Sequence, residues 1–185
     1  MRIIGGEFGG RRFYPPADHW PTRPTTDFAK EALFNILQNN IDFANSRSLD
    51  LFGGTGSHSI EAVSRGCTDA TYVDKYKGCV RFIHKMASEL DFEDKIHIHQ
   101  YDVFRFCRKP DIGQFNYIFA GPPYPLANMG AIPDMIFDNE LLADEGLFVL
   151  EHDLTNTFVE HAHFTEIRKY GQCHFSFFKN EDQLT

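Results

Sequence analysis

The sequence has 185 residues, with 26 acidic against 18 basic side chains and a formal net charge of -8. This length fits one domain, and a hydrophobic fraction of 42% excludes a disordered chain. The acidic excess, taken alone, speaks against a nucleic-acid-binding protein, because phosphate contacts need lysine and arginine.

The N-terminal residues differ in charge from the rest of the chain. Residues 2–6 and 11–14 have the composition of two short strands around a glycine-rich turn, which predicts a β-hairpin arm. Residues 1–30 carry five basic and three acidic side chains, a balance of +2, whereas the remaining residues balance at -10. The acidic excess therefore belongs to the body of the protein.

A regular alternation of strands and helices follows. Residues 21–24 contain two prolines and are expected to be extended, and Thr25 or Thr26 caps a helix that ends before Asn39. The pattern then predicts strands at 48–52, 70–74, 95–100, 115–120 and 147–150, helices at 57–65 and 76–90, and an antiparallel hairpin of strands at 164–170 and 173–179. We expect an α/β fold with a mostly parallel seven-stranded sheet, whose ligands bind at the carboxyl ends of the strands.

A glycine-rich loop follows the first strand of this sheet. The segment Gly53-Gly54-Thr55-Gly56 allows a sharp turn and a close approach of the backbone to a ligand. The dinucleotide fingerprint requires a third glycine where Ser59 stands, and Asp50 precedes the loop. A carboxylate there disfavours a diphosphate and favours a ligand with an ammonium or sulfonium group. A nicotinamide-dependent dehydrogenase on a similar sheet is therefore disfavoured.

Two further strands end in aspartates. Asp74 lies 18 residues after Gly56, about the spacing of the acidic residue that binds ribose hydroxyls in nucleotide folds. Asp102 follows the next strand, where a carboxylate suits an adenine amino group. Each aspartate alone is weak evidence, but acidic residues at three successive strands fit one adenosine-containing ligand.

A stiff loop follows the strand at 115–120. In Gly121-Pro122-Pro123-Tyr124 the two prolines fix the backbone and remove two N–H donors, so that the loop presents carbonyl oxygens. Carbonyl oxygens suit a substrate amine that must be oriented and must lose a proton. The ring of Tyr124 offers a surface on which a planar base can stack.

We expect no metal site, no disulfide framework and no membrane segment. His97 and His99 alternate along a predicted strand and are expected on its solvent side, and His161 and His163 are expected at a helix end. No apolar run approaches the roughly 18 residues of a membrane helix, and we expect a cytoplasmic protein. The cysteines form no CxxC pair and are expected to be buried thiols: Cys67, Cys79, Cys107 and Cys173.

These motifs together resemble the class I S-adenosylmethionine-dependent methyltransferases. More narrowly, the chain resembles the RsmD family, bacterial enzymes that methylate the exocyclic amine N2 of a guanine in 16S ribosomal RNA. The resemblance is carried by residues 1–6 and 10–12, 22–27 with 30–37, 49–56, 61–66, and the Pro-Pro-Tyr triplet. It implies a Rossmann-like methyltransferase domain over residues 24–185 and an RNA-binding arm over residues 1–23.

The resemblance also implies roles for particular residues. Asp50 and the glycine-rich loop would hold the methionine end of S-adenosylmethionine, Asp74 the ribose and Asp102 the adenine. The full set expected to contact this cofactor is Asp50, Gly53, Gly54, Thr55, Gly56, Asp74, Lys75, Asp102 and Val103. The loop of Gly121, Pro122, Pro123 and Tyr124 would hold the target base. The residues expected to contact RNA are Arg2, Arg11, Arg12, Arg23 and Thr25.

The expected partner is 16S ribosomal RNA, and the expected state is a monomer. Because the basic arm is short, it supplies few phosphate contacts, and tight binding to naked RNA is not expected. A partly assembled small ribosomal subunit, which supplies shape and other contacts, is the favoured substrate.

One position departs from the pattern of the family. The family loop begins with Asp, or with Asn in related amine methyltransferases, where this chain has Gly121. Loss of one preorganised transition-state partner typically costs about 10²–10³ in rate. We therefore hypothesise normal cofactor binding with weak catalysis, unless another acceptor contributes. The alternatives are a cofactor-binding RNA-binding protein without catalysis, and an amino-methyltransferase that acts on DNA or protein.

Overall fold

A single seven-stranded sheet organises the chain. The computed structural model describes residues 1–16, 20 and 25–180. The strands are β1 (Arg47–Leu51), β2 (Asp69–Asp74), β3 (Ile96–Gln100), β4 (Phe115–Ala120), β5 (Leu142–His152), β6 (Phe164–Tyr170) and β7 (Cys173–Phe178). The helices are α1 (Asp27–Leu37), α2 (Ser57–Ser64), α3 (Lys77–Glu89), α4 (Val103–Phe106) and α5 (Ala131–Asp138).

The strand order is β3-β2-β1-β4-β5-β7-β6. The first five strands in this order are parallel, and β7 lies antiparallel between β5 and β6. The predicted mostly parallel sheet with a C-terminal antiparallel hairpin is therefore confirmed. Thr26 caps α1 by accepting from the backbone N–H of Ala29 at 3.2 Å, as the capping pattern predicts.

Helices cover both faces of the sheet, so the central strands are mostly apolar on both sides. Along β1, the side chains of Leu49 and Leu51 pack with α4 and α5, whereas Asp50 points to the face covered by α1, α2 and α3. All four cysteines are buried thiols that form no disulfide. In the described part of the chain, no helix combines the length and apolar character needed to cross a membrane.

Several local features differ from the sequence prediction. Helices α4 and α5 were not predicted, because α4 has only four residues and α5 contains Pro133, which a helix tolerates in its first turn. His161 and His163 lie in the turn before β6 and not at a helix end. His97 is exposed as expected, but the ring of His99 packs against Phe106 at a centroid distance of 5.0 Å.

The predicted N-terminal β-hairpin is wrong. Residues 1–14, the N-terminal segment, form a looped turn that is closed by one isolated antiparallel bridge between Arg2 and Arg12. The reason is a competing acceptor: the N–H groups of Ile4 and Gly5 donate to the Glu61 carboxylate, at 2.8 and 2.9 Å. These N–H groups are therefore not available to a second strand. The extended stretch predicted for residues 21–24 lies outside the described residues.

A buried ion pair anchors the N-terminal segment to the body. Lys30 of α1 and Glu61 of α2 are 2% and 0% exposed, with 3.4 Å between Nζ and Oε2. The Lys30 ammonium also donates to the carbonyl of Arg2 at 2.6 Å and to the hydroxyl of Ser57 at 2.9 Å. Burial lowers the pKa of Lys30, and the Glu61 carboxylate opposes that shift. One pair of charges thus joins the segment to both helices.

Replacing Glu61 by Gln is expected to destabilise the protein strongly. The substitution leaves the Lys30 ammonium without a buried counter-charge, which costs about 3–5 kcal/mol in the free energy of unfolding. Urea denaturation measures this change. Glu89→Gln is the matched control, because Glu89 pairs with Lys85 at 3.5 Å in an exposed ion pair on α3, and its loss should cost less than about 1 kcal/mol. Equal effects of the two substitutions would refute the anchoring role.

Candidate active site

A cleft of about 940 Å³ opens at the carboxyl ends of the parallel strands. Its walls come from the last residues of β1, β2, β4 and β5, from the segments that follow β1 to β4, and from Trp20 and Thr25, which precede α1 in the chain. The predicted residues that line it are Asp50, Gly53, Gly54, Thr55, Asp74, Lys75, Asp102, Val103, Gly121, Pro122, Pro123 and Tyr124. Gly56 alone of the predicted cofactor and target-base residues is absent from these walls. The structure therefore brings the two predicted groups into one cleft.

The glycine-rich loop is held in place by close packing. A Cβ atom on Gly53 would lie 2.2 Å from the ring of Tyr72, and Gly56 has a φ of +71° with Ile83 2.3 Å from where its Cβ would be. No larger residue fits either position without displacing its neighbour. The hydroxyl of Tyr72 also donates to the carbonyl of Gly54 at 2.7 Å. Gly56 therefore contributes to the cleft by starting α2 and shaping the loop.

Asp50 lies beneath this loop with 4% of its surface exposed. One of its oxygens accepts from the N–H and the hydroxyl of Ser59, at 3.1 and 2.6 Å. Burial raises the pKa of Asp50 to about 7, although the hydrogen bonds from Ser59 oppose the shift. A cationic ligand in the cleft would favour the ionised form of this carboxyl group.

The other two aspartates accept hydrogen bonds from nearby backbone N–H groups, and Asp74 thereby also holds the glycine-rich loop. Asp74 accepts from the N–H groups of Gly54 and Tyr76, at 2.9 and 2.7 Å, and burial raises its pKa. Asp102 caps α4 through the N–H of Arg105 at 3.0 Å. Because a carboxylate has about four acceptor sites, each aspartate can also accept from hydroxyl or amino groups of a ligand.

A carboxylate that was not among the predicted site residues lies beside the loop Gly121-Pro122-Pro123-Tyr124, the proline loop. Glu151 follows the apolar run of β5, lines the cleft and is 5% exposed. The hydroxyl of Tyr124 donates to its Oε1 at 3.0 Å, and the hydroxyl of Thr25 donates to its Oε2. Burial, and then the charge of Glu151, raise the pKa of Tyr124. A signal was present, since Glu151 directly follows the apolar run at 147–150, as Asp74 follows an apolar run in β2.

Aromatic rings form another part of the cleft wall. Trp20, the one tryptophan of the sequence, lies 6.1 Å from Tyr76 and 5.8 Å from Phe82 between ring centroids. Below the proline loop, the ring of His58 stacks on Phe119 with centroids 3.8 Å apart and planes inclined by 2°. Burial lowers the pKa of His58 well below its ordinary value, so this ring is neutral. No sequence pattern placed Trp20 or His58 at the site.

The residues predicted to contact RNA are divided in the structure. Arg2 pairs with Glu31 at 2.8 Å, Arg11 lies over the ring of Phe8, and Arg12 is exposed. These three arginines belong to the N-terminal segment and do not line the cleft. Thr25 does line it, through its contact with Glu151. Arg23 lies outside the described residues.

The chain is similar in sequence and structure to known proteins over most of its length. It matches, over residues 1–179, the family model described as conserved hypothetical protein 95. It is 33% identical to YlbH of Bacillus subtilis (strain 168) over 156 residues, which cover 83% of each chain. It is 30% identical to ribosomal RNA small subunit methyltransferase D of Escherichia coli (strain K12) over 156 residues, 84% of this chain and 76% of that protein. The structure of YhhF from Escherichia coli superposes with a TM-score of 0.83 at 27% identity, covering 98% of both chains.

Replacing Asp50 by Asn is expected to remove a pH dependence of stability. Because the folded-state pKa is about 7, the folded protein keeps this proton over a range in which the unfolded chain has released it. Relative to Asp50→Asn, the free energy of unfolding of the wild type should therefore fall by about 1 kcal/mol per pH unit between pH 5 and pH 7. Urea denaturation of cofactor-free protein measures both profiles. Parallel profiles would contradict the burial of a titrating carboxyl group.

Proposed function

Because the chain belongs to the RsmD family of S-adenosylmethionine-dependent methyltransferases, we propose that it methylates the exocyclic amine N2 of a guanine in 16S ribosomal RNA. The observation that carries this proposal is one cleft that combines three strand-end aspartates with a proline loop. The aspartates suit an adenosine-containing cation, and the loop suits a substrate amine. The substrate is the assembling small ribosomal subunit.

The cofactor is bound along the edge of the sheet. Asp50 and the loop Gly53-Gly54-Thr55-Gly56 hold the methionine end, where the buried carboxyl group complements positive charge. Asp74 accepts from the ribose hydroxyls, with Lys75 beside it, and Asp102 accepts from the adenine amino group beside Val103. This order follows the order of the strand ends across the cleft, β1, β2 and β3. S-adenosylmethionine then supplies a methyl group bonded to a positively charged sulfur.

The proline loop orients the target base. The carbonyl oxygens of Gly121 and Pro122 accept from the amine, and the ring of Tyr124 stacks on the base after it has left its helix. Because the lone pair of this amine is delocalised into guanine, orientation is the demanding part of the reaction. The protein therefore acts chiefly by positioning and by electrostatics.

The N-terminal region, residues 1–23, contacts the RNA. Arg11 and Arg12 are exposed on the N-terminal segment, and Arg2 and Arg23 add basic charge to the same region. This small number of cations provides few phosphate contacts, which is consistent with a substrate that offers additional contacts. Thr25 connects this region to the methyltransferase domain, residues 24–185, at the cleft wall.

Substitutions at Tyr124 and Asp74 are expected to have opposite effects. Tyr124→Ala removes the stacking surface, which is worth about 1–3 kcal/mol, so methyl transfer should fall about 10–100-fold with little change in cofactor affinity. Asp74→Ala should instead weaken cofactor binding by about tenfold or more, with a smaller effect on the rate at saturation. The fluorescence of Trp20 reports cofactor binding, and transfer of a labelled methyl group reports activity. Tyr124→Phe keeps the ring as a control, and a loss equal to that of Tyr124→Ala would exclude stacking.

The nature of the substrate gives a direct test of the proposal. Labelled methyl transfer is compared on naked 16S RNA, on unmethylated small subunits, on DNA and on protein, and the product nucleoside is identified. We expect N2-methylguanosine, formed faster on the subunits than on naked RNA. Methylated DNA or protein would identify a different amino-methyltransferase. Cofactor binding without transfer to any of them would show an RNA-binding protein that lacks catalysis.

A further inference from the structure

We propose that Glu151 is a catalytic residue of this chain, the carboxylate that contacts the target amine in place of the acidic residue absent at Gly121. The inference rests on the proposed function, and it identifies the group that recognises guanine. The position of Glu151 in the sheet, its burial and its hydrogen bonds from two hydroxyl groups support this role.

The register of the sheet places Glu151 directly beside Gly121. Ala120 of β4 pairs with Leu150 of β5 in a parallel ladder, so the next residues, Gly121 and Glu151, are neighbours at the same edge. In a parallel pair, neighbouring positions present their side chains to the same face. A carboxylate at position 151 therefore reaches the same part of the cleft from the adjacent strand.

The surroundings of Glu151 hold its carboxylate in one orientation. The side chain is 5% exposed, and its two oxygens accept from Tyr124 at 3.0 Å and from Thr25. Tyr124 is also the residue on which we propose that the base stacks. One hydrogen bond thus fixes the ring and the carboxylate relative to each other, which is the preorganisation that electrostatic catalysis requires.

The packing of Phe119 disfavours an acidic side chain at position 121 itself. A Cβ atom on Gly121 would lie 3.1 Å from Cε1 of Phe119, closer than ordinary contact. The Phe119 ring is in turn stacked on His58, whose Nε2 is 2.7 Å from the hydroxyl of Tyr117. A side chain at position 121 therefore requires a shift of a few tenths of an ångström in a ring that His58 holds by stacking.

Methyl transfer to the N2 amine of guanine is favoured by a carboxylate at position 151. The amine nitrogen bonds to the methyl carbon as the carbon–sulfur bond breaks, and sulfur keeps the electron pair. The nitrogen gains positive charge, which the Glu151 carboxylate stabilises, and the released proton passes to Glu151 and then to solvent.

The same carboxylate also explains the choice of base. Guanine presents two neighbouring donors, N1–H and the N2 amine, that one carboxylate accepts together. Adenine and cytosine present an acceptor nitrogen beside their amines, so the same carboxylate rejects them.

The test is Glu151→Gln, which keeps the shape of the side chain and removes its charge. On unmethylated small subunits we expect the rate at saturation to fall by about 10²-fold or more, with cofactor affinity, read from Trp20 fluorescence, within about twofold of the wild type. Glu145→Gln, an exposed carboxylate on the same strand, serves as the control and should have no effect. A rate for Glu151→Gln within about threefold of the wild type would overturn the role of Glu151 alone. If the wild type transfers no methyl group to guanine, both this role and the proposed function fail.

A second pair of variants distinguishes a catalytic from a structural role. In the Glu151→Gln background, Gly121→Asp restores a carboxylate beside the amine, whereas Gly121→Ala adds only the crowded Cβ atom. We expect Gly121→Asp to recover about tenfold or more of the lost rate, and Gly121→Ala to recover none. Equal rates for the two double variants would show that Glu151 acts by supporting the structure, and would overturn the proposal.

Discussion

The pairing register of the parallel strands brings the polar side chains near their carboxyl ends to one edge of the sheet. Strands buried on both faces are mostly apolar, and the buried carboxyl groups Asp50, Asp74 and Glu151 lie at or next to the carboxyl ends of their strands. The ladders place Phe52, Asp74, Gly121 and Glu151 next to one another along this edge. A slip of one residue in β2 or β5 would turn Asp74 or Glu151 to the opposite face of the sheet. The paired positions just before this edge are Leu51 with Val73 and Ala120, and Ala120 with Leu150.

The position of these carboxyl groups near the strand ends also explains how charge is distributed over the protein. Asp50, Asp74 and Glu151 are gathered at one end of a low-dielectric body, and burial raises the pKa values of Asp50 and Asp74. A cluster of this kind is poorly stabilised by itself and favours a cationic ligand. The basic side chains of the N-terminal segment lie elsewhere, and the pair Lys30–Glu61 attaches that segment to α2. A protein with an acidic net charge therefore carries a basic N-terminal segment that is anchored apart from the acidic cleft.

The sequence predicted the parts of the fold that depend on local signals. The glycine-rich loop, Asp74 and the proline loop each follow an apolar strand, so both their position and their shared cleft could be inferred. The N-terminal hairpin was predicted wrongly because its outcome depends on Glu61, a residue more than fifty positions away whose carboxylate captures the N–H groups of that segment. Glu151 carried a local signal, an acidic residue after an apolar run, but no local pattern related it to the loop at Gly121. Its proximity to Gly121 follows from the pairing of β4 with β5, which composition and periodicity do not specify.

The departure at Gly121 has a different meaning once the packing around it is considered. In the sequence, the glycine at position 121 means that the loop lacks the carboxylate with which the family loop begins. In the structure, Phe119 and His58 occupy the space behind the loop as a stacked pair, and a side chain at position 121 would crowd that pair. The neighbouring strand supplies a buried carboxylate, Glu151, at the same edge of the sheet. The glycine and the stacked rings are thus compatible features of one arrangement. In it, the carboxylate at this edge of the sheet lies on β5, at Glu151, and not directly after β4, at position 121.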